Sequence, residues 1–246
     1  MYEQRSYRNW SKDGDLVSFE VAVRETDLYI SARKNLENKA LKSIIKHRKP
    51  LEEYVRKNPV FLTTLKPFNI SDDAPEIVRQ MVYASSKVGI GPMASVAGAI
   101  AEFVGKDLLE YSPEIIVENG GDIFMRTLKK RIVGIYAGNS VFTGRIAIEI
   151  ERDDTPAGIC TSSGTVGHSL SFGKADAVAV ISDSAFLADA AATAIGNLIK
   201  EEKDIQNGIE FAKGIKDIKG VVIIKNDKIG IWGNIKIAKC NSANSN

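Results

Sequence analysis

The sequence predicts an α+β protein. Three patterns carry this reading: period-two alternation of apolar residues near the start, helical apolar spacing in several longer segments, and an irregular interleaving of the two. A doubly wound or barrel α/β fold would instead repeat strand and helix in regular β-α-β units.

Leu16 to Ser31 alternates as LVSFEVAV and LYISA around a polar turn at Arg24-Glu25-Thr26-Asp27, which predicts a hairpin. From Lys34 to Lys57, Leu36, Ala40, Ile44, Ile45, Leu51 and Val55 recur at helical spacing, with Pro50 expected to break or kink the helix. Pro59, Pro67 and Pro75 punctuate a connection. Asp72-Asp73 before Pro75 then predicts a helix start running through Met81 toward Lys87. After Gly89-Ile90-Gly91-Pro92, the run MASVAGAIAEFVG predicts a helix whose small side chains allow close packing.

Ile115–Val117 reads as a buried strand, with further strands at Ile123–Thr127, Ile132–Ala137, Arg145–Ile150 and Ala177–Ser182. Ala157-Gly158-Ile159 is a short strand-like lead into a glycine-punctuated loop. The alanine-rich helix around Asp189 and a helix near Asp204–Lys213 precede strands at Val221–Ile224 and Ile229–Trp232, joined by an Asn226-Asp227 turn. Residues 1–239 read as one domain and 240–246, CNSANSN, as a disordered tail.

Lys and Arg number 33 against 31 Asp and Glu, a net charge of +2, which gives no footprint for nucleic acid. Lys46-His47-Arg48-Lys49 reads as a solvated helix face. Cys160 and Cys240 are the only cysteines, with no metal-type pairing, as in a reducing compartment. The start has no apolar leader region, and no apolar run is long enough to span a bilayer. A cytoplasmic protein without a membrane partner is the expectation.

Chemistry-bearing residues concentrate between Gly158 and Gly196. Cys160 is followed by Thr161, Ser162, Ser163 and Gly164, then His168. Asp189 and Thr193 stand four positions apart, on one face of a helix. Two hard oxygen donors so placed suit Mg²⁺, which fills its remaining shell with water and substrate phosphates. Upstream, Asn119-Gly120-Gly121-Asp122 brings a glycine pair and a carboxylate to the end of a strand. Each piece alone has a plain structural account. The glycines fit a hairpin turn, Asp189 a buried or capping carboxylate, Thr193 a hydroxyl bonded back to its helix, and Cys160 an inert core thiol.

Together these segments resemble the ApbE-like superfamily of flavin transferases. The matching text is Glu118-Asn119-Gly120-Gly121-Asp122-Ile123, then Thr161-Ser162-Ser163-Gly164, His168, and Ala188-Asp189-Ala190-Ala191-Ala192-Thr193-Ala194, in family order and approximate spacing over roughly Gly89 to Asn197. The resemblance implies the ApbE-like variant of the T-fold, with antiparallel sheets and packed helices, and a ligand cleft beside the Gly-Gly-Asp turn. It implies Mg²⁺ held by Asp189 and Thr193 against a nucleotide ligand, FAD or FMN, and a protein acceptor for the transferred flavin. Asn119, Gly120, Gly121, Asp122, Thr161, Ser162, Ser163 and Gly164 become the cofactor-binding candidates and His168 a catalytic one; Cys160, beside hydroxyls and near His168, is a catalytic candidate on its own neighbourhood.

Two family elements are altered. Gly91-Pro92-Met93 and Ser95-Val96-Ala97 lack the Lys and Asp of a Lys-Gly-x-x-x-Asp element, and His168-Ser169-Leu170-Ser171-Phe172-Gly173 lacks an Asp-Pro pair. Standard flavin transfer is therefore not expected. Three functions follow: a nucleotide- or flavin-binding, Mg²⁺-dependent transferase-like enzyme; a sulfur-handling protein with a thiolate or persulfide at Cys160; and a non-catalytic binding protein that keeps the fold.

Overall fold

The computed structural model describes residues 14–165 and 171–240. Strands β1 (Val17–Val23) and β2 (Thr26–Ala32) form the expected hairpin and lead into α1 (Glu37–Lys57), a short α2 (Val60–Thr63) and α3 (Glu76–Lys87). A 3-10 turn at Pro92–Ser95 opens onto α4 (Val96–Leu108). Strands β3 (Ile115–Asn119), β4 (Asp122–Arg126), β5 (Arg131–Gly134), β6 (Ile146–Ile150), β7 (Ala157–Ser162) and β8 (Ala177–Ser182) follow. The chain ends with α5 (Ala185–Leu198), α6 (Ile205–Lys213), β9 (Ile218–Lys225), β10 (Lys228–Gly233) and β11 (Lys236–Lys239).

Eight strands make one antiparallel sheet in the order β1-β2-β3-β4-β7-β8-β9-β10, and three make a second in the order β11-β6-β5. Period-two alternation decides which residue faces which layer. In β8, Val178 and Val180 join the core under the helices, while Ala177, Ala179 and Ile181 join the core shared with the small sheet. In β9, Val221 and Ile223 take the first side, Val222 and Ile224 the second. Both faces of the large sheet's centre are therefore covered. That is why β8 is apolar from Ala177 to Ile181: no position along it meets water, and the buried Ser182 at its end donates its hydroxyl to the Asp217 carbonyl.

Several expectations are corrected. Pro50 lies inside α1, which continues across it; Ala40, Ser43, Ile44 and Leu51 are buried on either side of the proline, and this packing outweighs the lost backbone hydrogen bond. Asp72 and Asp73 lie upstream of α3, and Pro75 itself takes the cap position. Thr161 and Ser162 belong to β7, not to a loop, because β8 pairs with them at Ala179 and Val178 after the β4 pairing has ended at Cys160. Cys240, expected in the tail, is held in place, its N–H donating to the Arg145 carbonyl at 3.0 Å, and residues 241–246 lie outside the described residues.

Candidate functional site

Helices α4 and α5 cap each other. Oδ2 of Asp189, on α5, accepts the Gly98 N–H at 2.8 Å in the first turn of α4. Oε2 of Glu102, on α4, accepts the Ala185 N–H at 2.6 Å and the Ser184 hydroxyl at 3.2 Å at the start of α5. Each carboxylate satisfies an N–H that its partner helix leaves unpaired and meets the positive end of that helix. The exchange requires an unusually close approach. A Cβ on Gly98 would collide with the Ala185 carbonyl oxygen and stand 2.9 Å from Asp189 Cβ, so glycine is needed there.

The Asn119–Asp122 turn meets this junction from the sheet. Asn119 and Asp122 pair across the hairpin of β3 and β4, with Gly120 at φ 70° and Gly121 at φ 101°. Two consecutive left-handed residues suit a two-residue hairpin loop, so the plain account of the glycine pair is structurally correct. The turn is also tied to the site. Asn119 Nδ2 donates to the Ala97 carbonyl at 3.1 Å, and Glu118 Oε1 accepts the Gly121 N–H at 2.8 Å.

Asp122 projects beneath the helices toward Asp189. Both are buried, with 8% and 9% of their surface exposed. Burial first, and then the negative charge of Asp189, pushes the Asp122 carboxyl well above its ordinary range. Burial lifts Asp189 to about 7 against the downward pull of the Gly98 and Ala97 N–H groups. A buried carboxylate pair with no cationic partner among the described residues shares protons or a cation. Thr193, one turn along α5, is partly exposed, and its hydroxyl has no hydrogen-bond partner among the described residues, so bonding back to the helix does not account for it. A divalent cation fits this donor set of one carboxylate and one free hydroxyl. Because no group of three or more His, Cys, Asp or Glu side chains is placed to hold a metal among the described residues, the remaining ligands would come from water and phosphate oxygens.

The candidate residues on β7 separate by face. Cys160 and Ser162 point toward the helices, whereas Thr161 continues the opposite series of Ala157 and Ile159. Only the Thr161 backbone N–H reaches Asp122. Cys160 is fully buried, and its thiol lies against the Ala185 carbonyl at 3.4 Å and the Asp122 carboxyl. Burial, then the charges of Asp122 and Asp189, pushes its pKa far up. Of the two readings of Cys160, these surroundings favour the protonated core thiol over the accessible thiolate.

Beyond β7, the Ser163 hydroxyl accepts the Thr165 N–H at 3.1 Å, and the Gly164 N–H donates to the Ala175 carbonyl at 2.9 Å. These residues hold the loop in place. His168 lies outside the described residues. Sequence reasoning missed Glu102 and the α4 N–H groups as partners of this junction. The signal available was Gly98 in a small-residue helix, since a glycine there marks a backbone approach.

Two packed helices, a hairpin turn and a buried carboxylate pair thus meet within an antiparallel α+β fold. The chain belongs to the family described as AbpE bacteria, whose model matches residues 8–217. The UPF0280 protein MJ1526 of Methanocaldococcus jannaschii is 48% identical over 221 residues, covering 87% of this chain and 90% of that protein. A UPF0280 protein of Methanococcus vannielii is 45% identical, covering 90% and 92%. Among solved structures, the flavin transferase ApbE of Vibrio cholerae matches with a TM-score of 0.57 at 13% identity, covering 89% of this chain and 96% of that one. The ApbE protein of Thermotoga maritima matches at 0.52 and 11% identity, over 89% and 96%. These likenesses establish the ApbE fold that the motifs implied.

Proposed function

We propose that this protein binds a flavin nucleotide with a divalent cation in the cleft between the Asn119–Asp122 turn and α5, and that it is a poor protein flavin transferase. The observation that carries the reading is the buried Asp122–Asp189 pair beside the unbonded Thr193 hydroxyl. Flavin as the ligand class is supported by the fold shared with ApbE flavin transferases.

Asp189 and Thr193 would hold the cation, Mg²⁺ by its preference for hard oxygen ligands. When bound, it would offset charge on a phosphoanhydride. Asp189 is oriented for this by the Gly98 and Ala97 N–H groups, and a carboxylate keeps further acceptor sites beside two such bonds. Asn119 holds the turn against α4, so the carboxylates stay aimed at one place. Weak transfer is inferred from the absent Lys and Asp at Gly91–Ala97 and the absent Asp-Pro after His168. The buried thiol of Cys160 counts against sulfur chemistry. The two free cysteines and the lack, among the described residues, of any single helix long and apolar enough to cross a membrane support a cytoplasmic setting.

Calorimetric titration with FAD, with Mg²⁺ or with EDTA, tests the reading. Mg²⁺-dependent binding is expected. Asp189→Asn, which keeps an oxygen for the Gly98 N–H, should abolish the Mg²⁺ dependence. Thr193→Ala should weaken binding roughly tenfold. Equal FAD affinity in EDTA would remove the cation site, and efficient labelling of a threonine-bearing peptide would overturn the claim of weak transfer.

A further inference from the structure

Residues 172–174 are clamped against the end of α5. The Phe172 N–H donates to Asn197 Oδ1 at 2.8 Å, Lys200 Nζ donates to the Phe172 carbonyl, and the Lys174 N–H donates to the Ile199 carbonyl at 2.7 Å. Gly173 lies so close to α5 that a Cβ there would collide with the Gly196 carbonyl oxygen. A Cβ on Gly164 would in turn strike the Gly173 carbonyl. These contacts fix the backbone at residue 172 and leave its phenyl ring outside, 52% exposed.

A single exposed apolar side chain is ordinary on a protein surface. Its placement makes this one informative. Asp189, Thr193 and Asn197 stand at successive four-residue steps, which keeps them on one face of α5 over about 12 Å of helix axis. The row starts at the buried carboxylate, passes the unbonded Thr193 hydroxyl, and ends at the side chain that holds Phe172. A ligand with phosphates at the first part would project its next group toward the ring.

We propose that Phe172 is a stacking platform for the planar heteroaromatic ring of the ligand whose phosphates lie at Asp189 and Thr193. The proposal rests on the flavin-nucleotide reading above and adds the residue that selects for a ring. Offset stacking on an aromatic face rewards any planar ring system, so the isoalloxazine of a flavin and the adenine of a nucleotide share the chemistry. The rigid anchoring of residue 172 matters because a pre-positioned ring loses little freedom when the ligand arrives.

The test titrates the unaltered protein, Phe172→Ala and Phe172→Trp with FMN, ADP and inorganic pyrophosphate, each with Mg²⁺. Phe172→Ala should weaken FMN about tenfold and leave pyrophosphate unchanged. Phe172→Trp should restore affinity and quench the flavin fluorescence. A loss confined to ADP would equally support the platform and identify the stacked ring as adenine. Unchanged affinity of Phe172→Ala for both FMN and ADP would overturn the platform while leaving the cation site standing. Failure of the unaltered protein to bind FMN, ADP or pyrophosphate would overturn the platform and the nucleotide reading together.

Discussion

Cys160 was the residue with most to gain from the structure, because a strand end followed by hydroxyls and a histidine is where a reactive thiol could sit. Local sequence could not decide the matter, since burial depends on what lies across the sheet. Its strand pairs on both edges, and α5 covers the face on which the sulfur lies. The thiol is thus shut off from solvent and held protonated by two neighbouring carboxyls. Iodoacetamide at neutral pH should label Cys240, which is partly exposed, and spare Cys160 until the protein unfolds. Rapid labelling of native Cys160, read by peptide mapping, would contradict its burial. Period-two alternation separates Thr161 from Cys160 and Ser162. A run of adjacent hydroxyls looks like one cluster in a sequence, yet a strand sends its members to opposite faces.

Pairs of elements carry the next level of specificity. The α4–α5 contact depends on Gly98 for proximity and on Asp189 and Glu102 for the exchanged caps. Gly98→Ala should lose stability despite alanine's better helix propensity. The gain of about 1 kcal/mol from propensity is outweighed by a clash against backbone costing about 1–3 kcal/mol or more. A melting temperature equal to that of the unaltered protein would show that the helices can separate freely. Helix α1 meets α4 through a different device. His47 Nε2 lies 2.9 Å from Asp107 Oδ2, with Ser43 and Lys46 on the same carboxylate and Phe103 stacked on the imidazole. Burial lowers the His47 pKa, against the opposing pull of Asp107, so the folded state prefers the neutral ring. Its contribution to stability is therefore complete above the unfolded value of about 6.5 and is lost as pH falls through the lower folded value. Asp107 itself, held below its ordinary value, titrates lower still. Melts of the unaltered protein should fall more steeply from pH 7 toward pH 5 than those of His47→Gln, and parallel curves would count against the assignment.

Across the whole chain, the α+β class and the order of most elements could be read from periodicity, because covered strands and one-sided helices leave different apolar patterns. What escaped were features that only partners create: the full length of β7, the short α2, and β11, which closes the small sheet against β6. The core beneath the helices extends from Phe19 on β1 to residues of β9, with Trp232 of β10 packed at its margin. If that core unfolds as one unit, a ligand in the cleft must stabilise the distant sheet edge as well. At one hundred times its dissociation constant a ligand adds about 2.7 kcal/mol, which in a chain of this size raises the melting temperature by about 5–11 °C. In a Trp10→Phe background, Trp232 fluorescence should report the same rise with FAD and Mg²⁺ as far-ultraviolet circular dichroism does. A shift seen by circular dichroism but absent at Trp232 would divide the large sheet into separately melting parts, with the α4–α5 cleft responding to ligand and the β9–β10 edge indifferent to it.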